Sequence, residues 1–157
     1  MKKLKGVEVY FPVRDVGSDL LVVKSNKHLG IQVKESRYYV GRTWRSGHLG
    51  HSWHQIKEAK LQKNKDRVDF YVFLTYLPVL GEHKISRFDN KFLIVPSSEL
   101  EERVTVKDAG KKRIFSFCFH FEDGRVWDER VTVSLENPLT DYRQFLDAWS
   151  LIGKAIQ

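Results

Sequence analysis

Near its N-terminus the chain alternates short apolar runs with polar turns, a pattern typical of β-hairpins. Residues 7–13 carry Val or Phe at every second position, which predicts a half-buried strand. A second apolar run follows at residues 20–23, a polar turn at 25–28, and a third run at 29–34. Because short segments connect these runs, we predict a three-stranded antiparallel meander.

Three polar residues of this meander are candidates for a common site: Asp19, Gln32 and Lys34. If the turn has Asn26-Lys27 at its tip, Asp19 lies opposite Lys34. Side chains alternate between the two faces of a strand, and directly paired residues share a face. We therefore expect Asp19, Gln32 and Lys34 to lie together at the open end of the hairpin.

The middle of the chain combines helical and strand patterns. Ser52 is a typical N-cap residue, and the apolar positions after it follow helical spacing, which predicts a helix over residues 53–63. Nearly continuous apolar runs at residues 69–77 and 91–95 predict buried strands. The polar segment between them, residues 78–90, predicts an exposed loop.

The C-terminal third predicts a second hairpin and a closing helix. Residues 113–121 and 125–133 flank an Asp123-Gly124 pair, which is a strong hairpin signal. A helix is predicted over residues 140–156, with one apolar face that we expect to dock on the sheet. The apolar positions of this helix are Tyr142, Phe145, Trp149, Ile152 and Ile156.

Length and composition predict one α+β domain over residues 1–157, with a mixed sheet and at least two helices. The lone cysteine, Cys118, excludes an internal disulfide and a four-cysteine metal site, and its aromatic neighbours favour a buried thiol. No apolar run reaches the ~20 residues that span a bilayer. The basic N-terminus lacks the apolar stretch of a signal peptide. We expect an intracellular, cytoplasmic protein that makes no membrane contact.

The positive charge of the chain is concentrated beside the hairpin. The formal net charge is +7, and residues 24–67 contain eleven Lys or Arg against three acids. A concentrated positive field favours a polyanionic partner, because each phosphate that a protein neutralises releases condensed counterions. A solvated basic surface would have the same composition. The adjacent hairpin makes nucleic acid the partner that we predict.

The hairpin resembles the PD-(D/E)xK nuclease superfamily. The matching residues are the D-x-G-x-D-L run at residues 15–20 and the I-Q-V-K run at residues 31–34. The resemblance covers roughly residues 6–36 and extends more loosely into the following strands. It implies a restriction-endonuclease-like mixed β-sheet with flanking helices, and a catalytic set of Asp19, Gln32 and Lys34.

The resemblance also implies Mg²⁺ or Mn²⁺ as cofactor. Asp19 would be the direct metal ligand, since hard cations prefer carboxylate oxygens, and Lys34 would hold the attacking water or stabilise the developing charge. Gln32 can coordinate through its carbonyl oxygen but brings no charge, so Asp15 and Glu8 are candidates for a further carboxylate ligand.

One helix of the superfamily pattern is not matched in this sequence. Only six residues precede Val7, too few for the helix that the superfamily normally places before its first core strand. Another helix of the chain, such as residues 140–156, or a partner subunit would fill that space.

Basic and aromatic residues after the hairpin are candidates for DNA contacts. His48, His51 and His54 form an H-x₂-H-x₂-H run that is compatible with phosphate or base contact, with ordinary loop composition, or with a metal site, although zinc sites usually group their ligands more closely. Aromatic side chains among arginines stack on bases or cover a core. The candidates are Arg37, Arg42, Trp44, Arg45, His48, His51, His54, Lys57, Lys60 and Lys63.

The sequence therefore predicts a Mg²⁺-dependent DNA endonuclease of the restriction, homing or junction-resolving type. Cutting both strands of a duplex with one site per chain favours a homodimer or higher homo-oligomer. The alternative is a non-catalytic nucleic-acid-binding domain with a nuclease-like fold. A protein-interaction domain with an incidental Asp–Lys pair would leave the positive charge without a role.

Overall fold

The structure is a computed structural model that describes residues 6–14, 17–39, 51–80 and 85–157. The strands are β1 (Glu8–Tyr10), β2 (Leu20–Lys24), β3 (Lys27–Tyr39), β4 (His51–Ser52), β5 (His54–Lys57), β6 (Phe70–Leu80), β7 (Ile85–Pro96), β8 (Ile114–Phe117), β9 (Phe119–Glu122) and β10 (Arg125–Asp128). The helices are α1 (Glu58–Lys63), α2 (Ser97–Val104) and α3 (Ser150–Ala155), with 3₁₀ turns at Pro138–Thr140 and Arg143–Phe145. None of the helices in these ranges is long and apolar enough to cross a membrane.

The main sheet is mixed, and its strands run in the order β1-β2-β3-β6-β7. β1, β2 and β3 form an antiparallel meander, as the sequence predicts. β6 lies parallel to β3, and β7 returns antiparallel to β6. Parallel neighbours require a crossover connection, and α1 lies in the segment that crosses from β3 to β6. The predicted α+β class with a mixed sheet is confirmed at this level.

Two short ribbons pack beside the sheet. β5 pairs with β8 and β9 pairs with β10, both antiparallel. The predicted Asp123-Gly124 turn is confirmed: the two residues have φ angles of 47° and 75°, the left-handed backbone that this hairpin turn requires. The predicted strands were too long. The first, residues 113–121, is interrupted at Cys118 between β8 and β9, and the second, residues 125–133, ends at Asp128.

The core occupies both faces of the sheet. On one face Phe73, Leu93 and Val95 pack with the aromatic residues of β8 and β9 and with Tyr142 and Phe145. On the other face, Ile152 and Ile156 pack against apolar residues of β2, β3, β6 and β7. The C-terminal apolar positions therefore dock on the sheet as predicted, but the single helix is wrong: two 3₁₀ turns and α3 replace it, and Trp149 stays partly exposed.

The predicted helix over residues 53–63 is also wrong, since only Glu58–Lys63 is helical. Residues 51–57 are extended, with Ser52, His54 and Ile56 buried and the residues between them largely exposed. This alternation follows the strand period of two, and β8 supplies the hydrogen-bonding partner for β5.

Two further sequence expectations need correction. β1 spans three residues, and all three are exposed. The alternation predicted that Val9, Phe11 and Val13 would be buried, but they face solvent. The loop expected at residues 78–90 is largely strand: β6 continues to Leu80, β7 begins at Ile85, and the two strands pair with each other.

Candidate active site

The β2–β3 hairpin differs from its predicted register by two residues. The turn is Ser25-Asn26, with Lys24 paired to Lys27 and Leu20 to Ile31. The predicted pairing of Asp19 with Lys34 is therefore wrong. The register continues to Asp19, whose backbone N–H donates to Ile31 O at 2.8 Å, and places that residue beside Gln32. A shift of two keeps every side chain on its expected face, so Asp19, Gln32 and Lys34 still share one face.

Asp19 is the acceptor at the centre of the hairpin's polar contacts. Its Oδ2 accepts a hydrogen bond from the Val33 backbone N–H at 2.7 Å and another from Gln32 Nε2. The Asp19 residue is exposed whereas Gln32 is buried. Two donors on one oxygen fix the orientation of the carboxylate and leave its other oxygen directed elsewhere, the arrangement of a ligand or a hydrogen-bond acceptor held in place.

A cavity of about 280 Å³, which we call the hairpin pocket, adjoins Gln32, whereas Asp19 does not line it. Gln32 and Lys34 of β3 line one side, and Tyr71 of β6, which pairs with Gln32, lies beside them. The crossover segment provides the other side through Lys57, Lys60 and Asn64. Three lysines and no carboxylate line the pocket among the described residues, so its field is strongly positive.

The described residues of the hairpin offer one carboxylate, that of Asp19, to a Mg²⁺ or Mn²⁺ ion. Mg²⁺ commonly takes one or two protein carboxylates and completes its shell with water and substrate phosphate. Gln32 currently donates its Nε2 to Asp19, so its oxygen would join the ligand set after a half-turn of the amide. When bound, such an ion withdraws charge from a phosphate and activates water. In the described ranges, no three His, Cys, Asp or Glu side chains group as a metal site.

The predicted additional carboxylates do not strengthen this set. Glu8 is opposite Val23, four positions along β2 from Asp19, which separates the two residues by roughly 13 Å. The Glu8 carboxylate instead accepts a hydrogen bond from the hydroxyl of Tyr10. The prediction of Glu8 as a metal ligand with Asp19 is therefore wrong. Asp15 lies outside the described residues.

The predicted DNA contacts lie in different parts of the structure. Lys57 and Lys60 line the hairpin pocket. Lys63 ends α1 and is exposed, and Arg37 is exposed on the face of β3 opposite Lys34. His51 is half-buried, with its ring centroid 5.7 Å from that of His120. The candidates Arg42, Trp44, Arg45 and His48 lie outside the described residues.

His54 is a core residue, and its prediction as a DNA contact is wrong. The residue is 2% exposed, and its ring packs edge-on against Phe73 with 5.2 Å between centroids. Its Nε2 lies 3.3 Å from the hydroxyl of Thr75. Burial lowers the pKa of His54 to about 3; a hydrogen bond with the Lys34 backbone partly opposes this shift, and the Lys34 charge, the smallest of the three effects, adds to it. The imidazole is therefore neutral at pH 7 and cannot neutralise a phosphate.

The buried neutral state of His54 predicts a loss of stability in acid. The unfolded chain binds a proton near the ordinary His pKa of 6.5, whereas the folded ring does so only near 3. Between these values the unfolded state carries more protons, so the free energy of unfolding falls as pH falls. From pH 7 to pH 4 the His54 contribution amounts to about 3 kcal/mol. Urea unfolding of wild type and His54→Phe at both pH values measures it. The variant should lose about 3 kcal/mol less, and parallel losses would contradict the prediction.

Three residues of the hairpin pocket carry no signal in the sequence: Gln55, Asn64 and Tyr71. Asn64 joins the pocket because its Nδ2 donates to Gly17 O at 3.0 Å, which ties the end of α1 to the turn before Asp19. Tyr71 joins it through the parallel pairing with Gln32, and burial raises the pKa of its hydroxyl to about 12, with the Glu101 charge adding to the shift. Knowledge of the parallel pairing between β3 and β6 would have predicted Tyr71, whereas the side-chain contact of Asn64 with Gly17 has no sequence signal.

The hairpin pocket brings together three lysines and three side-chain amides, and the hydrogen bond from Gln32 links the exposed Asp19 carboxylate to this set. Comparison with known proteins found no protein-family model, no curated protein and no solved structure that matches the chain.

Proposed function

We propose that this protein is a Mg²⁺-dependent endonuclease that hydrolyses phosphodiester bonds of DNA. The observation that carries the proposal is the convergence of Asp19, Gln32 and Lys34 on one face of the β2–β3 hairpin, beside a pocket that Lys57 and Lys60 also line. Phosphodiester hydrolysis needs charge stabilisation around a phosphate and an activated water. These residue types in this arrangement provide the groups for both tasks.

Each residue has a role that follows from its position. The lysine ammonium groups at positions 57 and 60 hold the phosphate backbone by charge. Lys34, half-buried beside the core ring of His54, lies where a lower dielectric strengthens its attraction for developing negative charge. Asp19, oriented by the Val33 N–H, provides the charged metal ligand.

The chain order of the sheet also supports this proposal. The superfamily resemblance implies a catalytic meander followed by a helix and a further core strand, and β1 to β3 are followed by α1 and then by β6 parallel to β3. A restriction-endonuclease-like fold is part of the proposal. On the non-catalytic face, α3 covers the sheet through Ile152 and Ile156.

The second candidate is a DNA-binding domain without nuclease activity. Its supporting observation is that Gln32 Nε2 donates a hydrogen bond to Asp19. Among the described residues, Asp19 is the only predicted acidic ligand near the hairpin pocket, and this bond makes it a structural acceptor. Such a domain keeps the positive pocket and the affinity for DNA but not the metal-dependent chemistry.

Cleavage of supercoiled plasmid in Mg²⁺ or Mn²⁺ tests the proposal. We expect wild type to nick the plasmid and chelator to stop the reaction. Lys34→Ala and Asp19→Asn should lower the rate at least about 100-fold, because each removes charge stabilisation from the reacting phosphate. Asp19→Asn keeps an oxygen that accepts the Val33 N–H, so the hairpin retains its hydrogen bond.

Lys154→Ala, an exposed lysine of α3, is the matched control and should nick at the wild-type rate. Circular dichroism confirms that each variant is folded. Nicking by Lys34→Ala at the wild-type rate would overturn the assigned site. If wild type binds DNA with steep salt dependence but cuts in neither metal, the binding domain is the correct function. Linear product formed without a nicked intermediate would support two cooperating sites in a homo-oligomer.

A further inference from the structure

A second cavity lies next to the hairpin pocket, along the β5–β8 ribbon. Its volume is about 560 Å³, and we call it the ribbon groove. Gln55 of β5 and Ile114 of β8 line both cavities, so the two cavities are neighbours. Because successive side chains of a strand alternate, Gln55 and Lys57 of β5 point the same way; both line the hairpin pocket, and Gln55 also lines the ribbon groove.

An exposed tryptophan stands in the ribbon groove. Trp53 is 48% exposed although Ser52 and His54 on either side of it are buried. Its backbone N–H donates to the hydroxyl of Ser36 at 2.9 Å, which fixes the start of the ribbon to β3. Trp53 is therefore an aromatic side chain on a firmly anchored backbone with much of its surface facing solvent.

The groove around Trp53 is positively charged. Lys111, Lys112 and Arg130 line it, against one acid, Asp108. The Asp108 carboxylate accepts a hydrogen bond from the Gly110 backbone N–H at 2.7 Å and so helps to shape the turn that carries the two lysines. None of these four residues belongs to the basic segment identified in the sequence. The charge field of the hairpin pocket therefore extends over a second part of the chain.

We propose that the ribbon groove binds a single-stranded segment of the DNA substrate, with an unpaired base stacked on Trp53. The choice of DNA as the ligand rests on the proposed function. A positive groove combined with an exposed aromatic ring is how proteins hold single strands, because every base offers a face for stacking once it is unpaired. In a duplex those faces are covered by neighbouring bases.

The spacing of the groove fits this occupant. Trp53 and Lys57 are four positions apart along an extended chain, roughly 13 Å. A strand held at Lys57 by its phosphate therefore reaches Trp53 within a few nucleotides. The proposal names the substrate class as DNA with a single-stranded part, such as a flap, gap or opened end next to the bond that is cut.

Fluorescence anisotropy of a labelled oligothymidylate of about 15 nucleotides, in chelator so that no cleavage occurs, tests the proposal. Trp53→Ala should weaken binding about tenfold through loss of stacking, whereas Trp53→Phe keeps a ring and should stay within about threefold. Affinity for a blunt duplex of equal length should change less than threefold in both variants. Lys112→Ala should lower the log–log salt slope for the single strand by about 0.7.

Phe88→Ala and Lys154→Ala are matched controls, since both residues are exposed and neither lines the groove; they should bind as wild type does. As a second measurement, oligothymidylate should quench wild-type tryptophan fluorescence, and Trp53→Phe should lose most of that quenching while it still binds. Normal oligothymidylate binding by folded Trp53→Ala, or equal losses for single strand and duplex, would overturn the proposal.

These outcomes separate the two proposals. Plasmid nicking that depends on Lys34, together with normal oligothymidylate binding by Trp53→Ala, refutes the ribbon groove and keeps the nuclease. Absence of nicking, together with Trp53-dependent binding of the single strand, refutes the nuclease and keeps the ribbon groove as a single-strand site.

Discussion

Replacing Asp128 with Ala is expected to lower the free energy of unfolding by about 3–5 kcal/mol, the usual cost of removing one partner of a buried ion pair. The side chains of Asp128 and Lys107 are each 1% exposed and bonded to each other. Asp128 Oδ1 also accepts backbone N–H groups from Cys118 at 2.9 Å and from Arg130 at 3.0 Å. The substitution therefore leaves a buried ammonium, the buried Cys118 N–H and the partly buried Arg130 N–H without their acceptor.

Lys107→Met should cost less than Asp128→Ala, about 1–3 kcal/mol, because Asp128 keeps its two backbone donors. Burial lowers the pKa of Lys107, and the attraction of Asp128 only partly opposes that shift. Leaving the Lys107 ammonium without its partner therefore costs more than leaving the Asp128 carboxylate without its partner. Lys65→Met is the matched control. Lys65 forms a pair with Glu101 at 3.0 Å but is exposed, and exposed pairs contribute about 1 kcal/mol at most.

Urea unfolding of the three variants and wild type gives the order of these costs. Equal losses for Lys107→Met and Lys65→Met would show that the buried pair adds no stability beyond an exposed one. The pair also matters for the ribbon groove, because Lys107 donates to Arg130 O while Asp128 accepts from Arg130 N. A folded Asp128→Ala protein should therefore also bind oligothymidylate more weakly.

The face shared by Asp19, Gln32 and Lys34 could be predicted from sequence because the strand period of two is insensitive to a shift of two in register. The register itself could not, since the structure places the turn at Ser25, a residue with a left-handed φ of 55° that the sequence does not single out. The predicted pairing of Asp19 with Lys34 was therefore wrong, whereas the prediction that Asp19, Gln32 and Lys34 share a face was right.

The segment around β5 shows why other predictions failed. Ser52 and His54 are polar residues at buried positions, and Trp53 is an aromatic residue at an exposed one. The hydrophobic residue is therefore exposed and the polar residues are buried, so a prediction based on hydrophobic periodicity does not detect the strand alternation. Pairing with β8, far away in sequence, decides the conformation. The same contact creates the ribbon groove, so the groove is equally absent from the local pattern.

Contacts between distant segments also decide where the crossover lies against the hairpin, and Gly30 is the clearest case. A Cβ atom at Gly30 would lie 2.0 Å from the backbone oxygen of Arg67, far inside contact distance. At the same position Gly30 N donates to Asp69 Oδ2 at 2.7 Å and Asp69 N donates to Gly30 O at 2.8 Å. These two hydrogen bonds lie at the start of the parallel pairing of β3 with β6.

Gly30→Ala is therefore expected to cost about 3 kcal/mol or more, because the clash is with backbone that cannot rotate away and the two hydrogen bonds are lost as the chains separate. Gly110→Ala is the control: open space surrounds its Cβ position, and only its φ of 60° opposes a side chain, at about 1 kcal/mol. Urea unfolding monitored by circular dichroism measures both. Equal, small losses would mean that the crossover can shift without cost.

The same substitution separates stability from site geometry. Arg67 follows Asn64 in the segment that must move, and Asn64 lines the hairpin pocket with Lys57 and Lys60. A folded Gly30→Ala protein should therefore nick plasmid more slowly although every proposed catalytic residue is present. Asp69→Ala removes the Gly30 N–H acceptor without the clash, and should cost about 1 kcal/mol and leave nicking near the wild-type rate. Equal nicking by Gly30→Ala and Asp69→Ala would show that the position of the crossover does not control the pocket.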